Sequence, residues 1–213
     1  MSRENESAPV PPGDKQAEET PWLCQGVERG VWTEPMLALL ARGEEGTKWF
    51  SLIDKVWHQR TLGLAWAKVL ANAGSCGVDG ITVGQFSKDS ARRLLDLEEQ
   101  LKESRYQPKP AKRVWIPKPG SAELRPLGIP TVTDRVVQAA LKMVIEPIFE
   151  SRFHPHSYGF RPGRGCKDAL QSVDNLLAGN SLHVVEVDIK GYFDAIEHGK
   201  LMKLLRERIA DGR

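Results

Sequence analysis

The sequence predicts an α+β protein, in which helices accompany a short β-hairpin and a separate strand. Apolar residues recur at helical spacing in several stretches between Trp49 and Leu177. Two apolar runs, residues 113–116 and 124–129, flank a turn rich in Pro and Gly, which indicates a hairpin. A third extended run, of β-branched valines, lies at residues 184–187.

Composition sets the broad class of the protein. The chain has 213 residues, 40% of them apolar and 27% charged, which is ordinary for a globular protein with a sizeable core. No apolar run is long enough to span a membrane and no signal peptide is recognisable, so we expect a soluble, cytoplasmic protein without a membrane partner. Cys24, Cys76 and Cys166 are odd in number and far apart, and we expect them to be reduced thiols.

The formal net charge of +2 hides an uneven distribution along the chain. Residues 1–50 carry 5 basic and 9 acidic side chains, whereas residues 102–167 carry 13 basic and 5 acidic ones. A positive stretch of this density suits a phosphate backbone or a triphosphate. The alternative is a solvated basic face that binds nothing specific.

The N-terminal third divides into a leader and a helical extension. We expect residues 1–46 to be a disordered or irregular leader, because the first twenty residues are rich in Pro, Glu and Ser. Residues 47–110 are expected to be helical. Within them, Trp49 to Ala73 predicts one helix or a broken pair, and Val83 to Ser104 predicts a single helix.

The hairpin is followed by a helix, a loop and a second helix. Thr131 or Thr133 is expected to cap the first helix, which should kink or end near Glu146 because Pro147 follows. The loop at residues 157–164 combines aromatic side chains, glycines and arginines, and Gly165 to Leu177 reads as the second helix.

The valine run ends in a carboxylate. Alternation along a strand places Val184, Glu186 and Asp188 on one face, with Asp188 at the strand end. A strand-end carboxylate beside a backbone carbonyl offers the oxygen ligands that Mg²⁺ prefers in nucleotidyl transfer. The alternative is an ordinary strand that closes with a solvated Asp.

Three motifs in a fixed order carry a resemblance to a known family. Arg125–Gln138, Ser157–Arg164 and the segment that contains Asp188 follow one another, with Gly77–Thr82 and Ile116–Pro119 upstream. Together they resemble the bacterial group II intron type reverse transcriptases and maturases over roughly residues 77–208.

The resemblance implies the fingers and an incomplete palm of a right-hand polymerase fold. Residues 111–182 would form the fingers and residues 183–213 a truncated start of the palm. Such proteins copy RNA into DNA with two Mg²⁺ ions and assist splicing of their own intron RNA. The implied partners are intron RNA, an RNA template, a DNA primer or target and dNTP, and a homodimer is left open.

The resemblance also implies roles for five residues around the valine run. Asp188 would be the catalytic, metal-binding carboxylate, and the carbonyl of Ile189 a second metal ligand. The amides of Gly191 and Tyr192 would lie under the triphosphate. The ring of Phe193 would block a ribose 2′-hydroxyl and so select deoxynucleotides.

Basic residues upstream are expected to contact phosphates. Lys118 and Arg125 would bind the triphosphate. The alternative for Lys118 is an exposed lysine in a turn, without a ligand. Arg135 is expected to contact template phosphate or to be a solvent-exposed side chain. Arg161 and Arg164 are expected to bind nucleic acid, because acidic residues are sparse in their neighbourhood. The alternative is a packed loop in which these arginines pair with carboxylates.

The sequence departs from the family in its catalytic carboxylates. No Asp-Asp pair occurs in it, and one Asp cannot hold two metal ions. Thumb and RNA-binding maturase regions are also not recognised. We therefore expect this chain to be inactive in polymerisation alone. The alternative is a non-catalytic RNA-binding remnant of an intron maturase.

Overall fold

The computed structural model describes residues 27–42, 48–120, 122–178, 183–189 and 191–212. In these ranges the order of elements is α1 (Glu34–Arg42), α2 (Ile53–Trp57), α3 (Gln59–Asn72), α4 (Val83–Lys88), α5 (Ser90–Lys102), β1 (Lys112–Pro117), β2 (Leu124–Ile129), α6 (Val132–Glu150), α7 (Cys166–Ala178), a short 3₁₀ helix (Phe193–Ala195) and α8 (His198–Arg206). The mixture of helices with a small sheet agrees with the predicted α+β class.

The core forms where α3 and α6 pack against each other. Leu62 and Ala65 of α3, with Val136, Ala140 and Val144 of α6, are fully buried. On each helix they recur three or four residues apart, which places them along one side of the helix. Their burial is the apolar contribution that holds the helical part of the chain together.

Part of the predicted leader belongs to this core, which corrects the expectation of a disordered or irregular segment up to residue 46. Residues 34–42 form α1, and Trp32, Leu37 and Leu40 are buried. These large apolar side chains bury enough surface to offset the entropy of ordering the segment. Residues 1–26 lie outside the described residues.

Trp32 also explains why α6 continues past Glu146, where the sequence led us to expect a kink or an end. Pro147 lies inside α6 and has no N–H, so it cannot donate to the carbonyl of Met143 four residues earlier. The indole Nε1–H of Trp32 donates to that carbonyl at 3.1 Å instead. The helix therefore continues to Glu150 without a buried carbonyl left unpaired.

Two of the predicted helical stretches are broken. Of the two alternatives for residues 49–73, the broken pair is correct, since extended backbone at His58 separates α2 from α3. The single helix predicted for residues 83–104 is wrong, because Asp89, at φ −122°, separates α4 from α5. α4 begins at a capping box between Thr82 and Gln85, which the sequence analysis missed.

The hairpin forms as predicted. β1 and β2 pair antiparallel, from Lys112 opposite Ile129 to Pro117 opposite Leu124. Most of its residues are exposed on both faces. The hydroxyl of Thr131 then accepts the amide of Asp134 at 3.1 Å and caps α6.

The last described segment returns to the N-terminal part of the chain. The amide of Trp49 donates to the carbonyl of Arg208 at 2.8 Å, and the amide of Ala210 donates to the carbonyl of Trp49 at 2.9 Å. The amide of Ile53 donates to Asp211 Oδ2 at 3.0 Å. α7, in contrast, buries none of its residues. Among the described helices, none is both long and apolar enough to cross a membrane.

Candidate nucleotide and nucleic-acid site

The register of the hairpin places two predicted nucleotide-binding side chains on one face. Arg125 stands opposite Ile116, and Lys118 follows Ile116 by two residues. The amide of Lys118 donates to the carbonyl of Glu123 at 2.9 Å, which continues the ladder beyond β1. Because side chains alternate between the faces of a strand, Lys118 and Arg125 share a face. An ammonium and a guanidinium so arranged suit a common phosphate ligand.

Lys118 already has an acidic neighbour. Its Nζ lies 2.5 Å from Glu123 Oε2 in an ion pair exposed to solvent. The hydrogen bond from Lys118 holds the pKa of the Glu123 carboxyl below its usual value. Exposed ion pairs contribute little free energy, so a multiply charged phosphate can displace Glu123 from Lys118.

Other hairpin cations have no partner in the part of the chain that the structure describes. There, no hydrogen bond or ion pair holds the side chains of Lys112, Arg113 or Arg125. Of the six basic residues in this stretch, from residue 105 to residue 125, the other three do have acidic partners: Arg105 pairs with Glu99 and Glu103, Lys109 with Asp79, and Lys118 with Glu123. The hairpin is therefore a protruding element with uncompensated positive charge.

A buried carboxylate fixes the base of the hairpin. Asp134 accepts hydrogen bonds from the hydroxyl of Thr131 at 2.6 Å, from the hydroxyl of Tyr106, and from the amide of Lys109 at 3.4 Å. Tyr106 and Lys109 lead into β1, and Thr131 follows β2, so one side chain ties both ends of the hairpin to α6. Burial, followed by the hydrogen bond to Asp134, raises the pKa of Tyr106.

The hydrogen bonds from Tyr106 and Thr131 to Asp134 were not predicted from the sequence. The signal for the second of them was present, because Thr131 and Asp134 have the spacing of a helix-capping pair. Nothing in the sequence pattern indicated that Tyr106 would reach the same carboxylate from 28 residues away.

The predicted strand that ends in Asp188 does not form, which corrects the sequence analysis. Residues 183–189 have no regular secondary structure and are exposed, with Val185 at 85% and Val187 at 82%. A strand needs a neighbour for its backbone N–H and C=O groups, and no described strand lies beside this segment. The Asp188 side chain is therefore solvated on an open stretch of chain.

The residues after Asp188 form a compact turn. Gly191 has φ +64°, a conformation that favours glycine, and its carbonyl accepts the amide of Ala195 at 3.1 Å. Phe193 begins the 3₁₀ helix and is 80% exposed. Its ring meets the ring of Tyr192 edge-on, with centroids 5.6 Å apart. The turn thus presents two adjacent aromatic rings next to the Asp188 segment.

Asp188 and Ile189 have the donor chemistry of a magnesium site. A carboxylate and a backbone carbonyl are both hard oxygen ligands, and on an exposed segment water and phosphate can complete the octahedral shell. Among the described residues, no cluster of three or more His, Cys, Asp or Glu side chains could hold a metal. The two donors therefore fit one part of a magnesium shell.

The structure corrects the expectation for Arg161. Its guanidinium is buried against Glu150, with Nη2 2.6 Å from Oε1, and it also donates to the carbonyls of His154 and Ser157 at 2.9 Å. Pairing with a carboxylate, the alternative for this loop, is what the structure shows for Arg161, because Glu150, eleven positions earlier, folds back onto the loop. Arg161 anchors the loop to the end of α6 and does not face a nucleic acid.

Arg135 and Arg164, the other two arginines predicted to contact nucleic acid, make fewer hydrogen bonds within the protein than Arg161 does. Arg164 donates to the carbonyl of Pro155, and its guanidinium carbon lies 5.9 Å from the ring centroid of Tyr158. Arg135 donates from its two terminal nitrogens to the carbonyls of Ala73 and Ser75, at 2.9 and 2.8 Å.

Arg135 lies in a recess rich in donors. Lys68, Asn72, Gln138 and Lys142 also line it, with Lys68 paired to Glu28 at 2.7 Å and Lys142 to Glu146 at 3.2 Å in ion pairs near the surface. Each terminal nitrogen of a guanidinium carries a second N–H, so the two carbonyls do not exhaust its capacity. The recess is therefore chemically suited to a phosphate.

Comparison with protein families agrees with these features. The profile of the family described as Reverse transcriptase (RNA-dependent DNA polymerase) matches residues 116–212. The match begins within the hairpin and includes the loop of Arg161, the Asp188 segment and α8.

Comparison with curated proteins extends the similarity upstream of that match. Protein YkfC of Escherichia coli K12 is 45% identical over 141 residues, covering 64% of this chain and 37% of the relative. Group II intron-encoded protein LtrA of Lactococcus lactis is 37% identical over 150 residues, covering 70% and 24%. Nuclear intron maturase 1 of Arabidopsis thaliana is 34% identical over 82 residues, covering 38% and 11%. The chain thus spans about a third or less of the length of these relatives.

Proposed function

The chain belongs to the group II intron-encoded reverse transcriptases and maturases, and from this premise we propose that it supplies the nucleotide-binding hairpin and one catalytic carboxylate of an RNA-directed DNA polymerase. The product of that polymerase would be DNA copied from an RNA template. The same protein would bind its intron RNA and assist splicing.

One observation carries the proposal, namely the shared face of Lys118 and Arg125. A triphosphate needs several cationic donors on one side, and the hairpin offers a point charge and a bidentate fork there. Arg125 has no partner among the described residues, and Lys118 has only a weak, exposed one. The anchor at Asp134 fixes the base of the hairpin, which reduces the entropy lost when a nucleotide binds.

The remaining roles follow the predicted order along the chain. Asp188 and the Ile189 carbonyl would hold Mg²⁺, which when bound supplies positive charge beside the reacting phosphate. The amides of Gly191 and Tyr192 would donate to the triphosphate. The exposed ring of Phe193 would exclude a 2′-hydroxyl by its bulk.

Template contacts are proposed for two arginines. Arg135, with the lysines of its recess, would meet one backbone phosphate, and Arg164 another. Arg161 has a positioning role, because it holds the loop that carries Arg164. These contacts would be sequence-independent and sensitive to salt.

The test uses a completed protein, made by joining residues 1–212 to the remainder of LtrA after its matched stretch. We expect Asp188→Asn to reduce primer extension on an RNA template at least about 100-fold, since removal of groups that only support a metal ligand already costs 10- to 100-fold. RNA affinity should change less than about twofold, because one carboxylate contributes little to phosphate contacts.

The matched control is Asp194→Asn, six residues later in the same turn. It should leave extension within a few-fold of the unchanged protein. Equal losses from Asp188→Asn and Asp194→Asn would overturn the assignment of Asp188. The 213-residue chain assayed alone is expected to show no extension, since it has a single candidate carboxylate for two ions.

A second candidate function is RNA binding without catalysis. The observation that favours it is the uncompensated charge of the hairpin, which suits RNA whether or not a nucleotide is ever joined. The same assay separates the two functions. A completed protein that binds RNA but never extends a primer would favour the second.

A further inference from the structure

We propose that the hairpin face opposite Lys118 and Arg125 binds an unpaired stretch of RNA, with the indole of Trp115 as a stacking platform for a base and Arg113 as a phosphate contact. This inference rests on the proposed function, which includes RNA binding. It adds a site that the nucleotide-binding roles do not use.

The register defines this second face. Arg113, Trp115 and Pro117 alternate along β1 on the side away from Lys118. Their partners on β2 are Gly128, Pro126 and Leu124. We call this surface the Trp115 face.

The residues opposite leave the indole uncovered. Trp115 stands across from Pro126, and Arg113 stands across from Gly128, which has no side chain. β2 therefore offers no long side chain beside the ring except Leu124, which is itself 56% exposed. Trp115 is 56% exposed as a result.

Trp115 differs in this respect from the other tryptophans in the described ranges. Trp32, Trp49 and Trp66 are buried in the core, and Trp57 is half-buried with the ammonium of Lys102 4.6 Å from its ring centroid. A large aromatic side chain left open on a protruding strand is typical of a binding surface, since burying it on contact is favourable.

The charge around Trp115 indicates which ligand covers it. Arg113 lies on the same face, and among the described residues no hydrogen bond or ion pair holds the side chains of Arg113, Lys112 or Arg125, so the hairpin carries an excess of three positive charges. An apolar protein partner would not require this excess, whereas a nucleic acid strand combines phosphates with flat apolar bases. Stacking needs a base with an accessible plane, so the ligand is unpaired RNA and not a duplex.

The experiment measures binding of the 213-residue chain to two probes. One is an unstructured RNA of about 15 nucleotides, and the other is a duplex of the same length. Trp115→Ala is expected to weaken binding of the unpaired probe about 5- to 150-fold and to leave duplex binding unchanged. Trp115→Phe should retain most of the affinity, whereas Trp115→Leu should not, because only phenylalanine keeps an aromatic plane.

Two further variants separate stacking from charge and from loss of structure. Arg113→Ala should weaken both probes alike and reduce the slope of log affinity against log salt by about 0.7 for the unpaired probe. Phe50→Ala removes an aromatic side chain that is 67% exposed and lies outside the hairpin, so it should change neither affinity. Far-ultraviolet circular dichroism of each variant should match that of the unchanged chain.

The outcomes are distinct. If the unchanged chain binds the unpaired probe but Trp115→Ala binds it equally well, the Trp115 platform is overturned and the proposed function stands. If Trp115→Ala and Trp115→Leu weaken both probes equally, the face contributes only charge or shape, and stacking is overturned. If the unchanged chain binds neither probe, both this inference and the RNA-binding part of the proposed function are overturned.

Discussion

The hairpin and the segment of residues 183–189 are both rich in apolar residues, and the segment has the larger share of β-branched ones, yet only the hairpin forms strands. β1 and β2 are six residues apart, so each supplies the other's hydrogen-bonding partner at a small loop-closure cost. Residues 183–189 have no such partner in the described parts of the chain. This difference shows that the presence of a nearby strand to pair with, and not β propensity, decides where this chain forms a sheet.

The hairpin and residues 183–189 also differ in how side chains attach them to the rest of the protein. Asp134 ties the base of the hairpin to the start of α6. Glu150 ties the loop before α7 to the end of α6. No described hydrogen bond of this kind holds residues 183–189. α6 therefore organises both structured elements of the candidate site.

The largest effect is expected at the end of α6. Glu150→Gln would leave the guanidinium of Arg161 buried without a counter-charge, and breaking a buried pair in this way costs about 3–5 kcal/mol. Urea denaturation followed by circular dichroism measures the loss.

Glu146→Gln is the matched control for this substitution. Glu146 lies on the same helix but pairs with Lys142 at the surface, at 3.2 Å. Such a pair contributes about 0.3–0.5 kcal/mol. A Glu150→Gln variant no less stable than Glu146→Gln would contradict the structural role of Arg161.

A smaller effect is expected at the hairpin base. Tyr106→Phe removes one hydrogen bond to Asp134 and should cost about 1 kcal/mol near neutral pH. The structure also predicts a pH dependence. Since folding raises the pKa of Tyr106, its contribution is present below the unfolded value of about 10 and is lost as pH rises above it.

Denaturation midpoints across that alkaline range test the assignment. The unchanged chain should lose stability above about pH 10 more steeply than Tyr106→Phe does. Tyr192→Phe, at an exposed position, should follow the unchanged chain. Identical alkaline slopes for all three proteins would exclude Tyr106 as the titrating group.

The smallest effect is expected at the hairpin tip. Glu123→Gln releases Lys118 from an ion pair that is fully exposed to solvent, so the denaturation midpoint should not change measurably. Affinity for inorganic tripolyphosphate, measured by calorimetry, should rise no more than about fivefold. Glu197→Gln, which frees Lys200 on α8, is the control and should leave this affinity unchanged. A fall in affinity on Glu123→Gln would remove Lys118 from the proposed phosphate site.

Local features were predictable from the sequence. The hairpin followed from two apolar runs around a Pro/Gly turn, and the cap at Thr131 from its position before an amphipathic stretch. The family followed from three motifs in order. The roles of Asp188, Lys118 and Arg125 remain predictions, although the hairpin register supports two of them.

Features that depend on distant contacts were not predictable. Trp32 stabilises α6 by donating to the Met143 carbonyl from 111 residues away, and no periodicity signals such a bond. Arg161 was assigned to nucleic acid because its partner is not adjacent in sequence. The prediction of a single helix at residues 83–104 was wrong because the helix is interrupted at Asp89. The apolar pattern continues across this position, and no Gly or Pro marks the break.

Hydrogen–deuterium exchange at residues 184–189 tests most directly whether this segment is a strand that lacks its neighbour. In the 213-residue chain we expect these amides to exchange close to the rate of an unstructured peptide, while those of β1 are protected. In the completed protein we expect exchange at residues 184–189 to slow at least about 100-fold, with β1 unchanged. An active completed protein in which residues 184–189 still exchange freely would contradict the account.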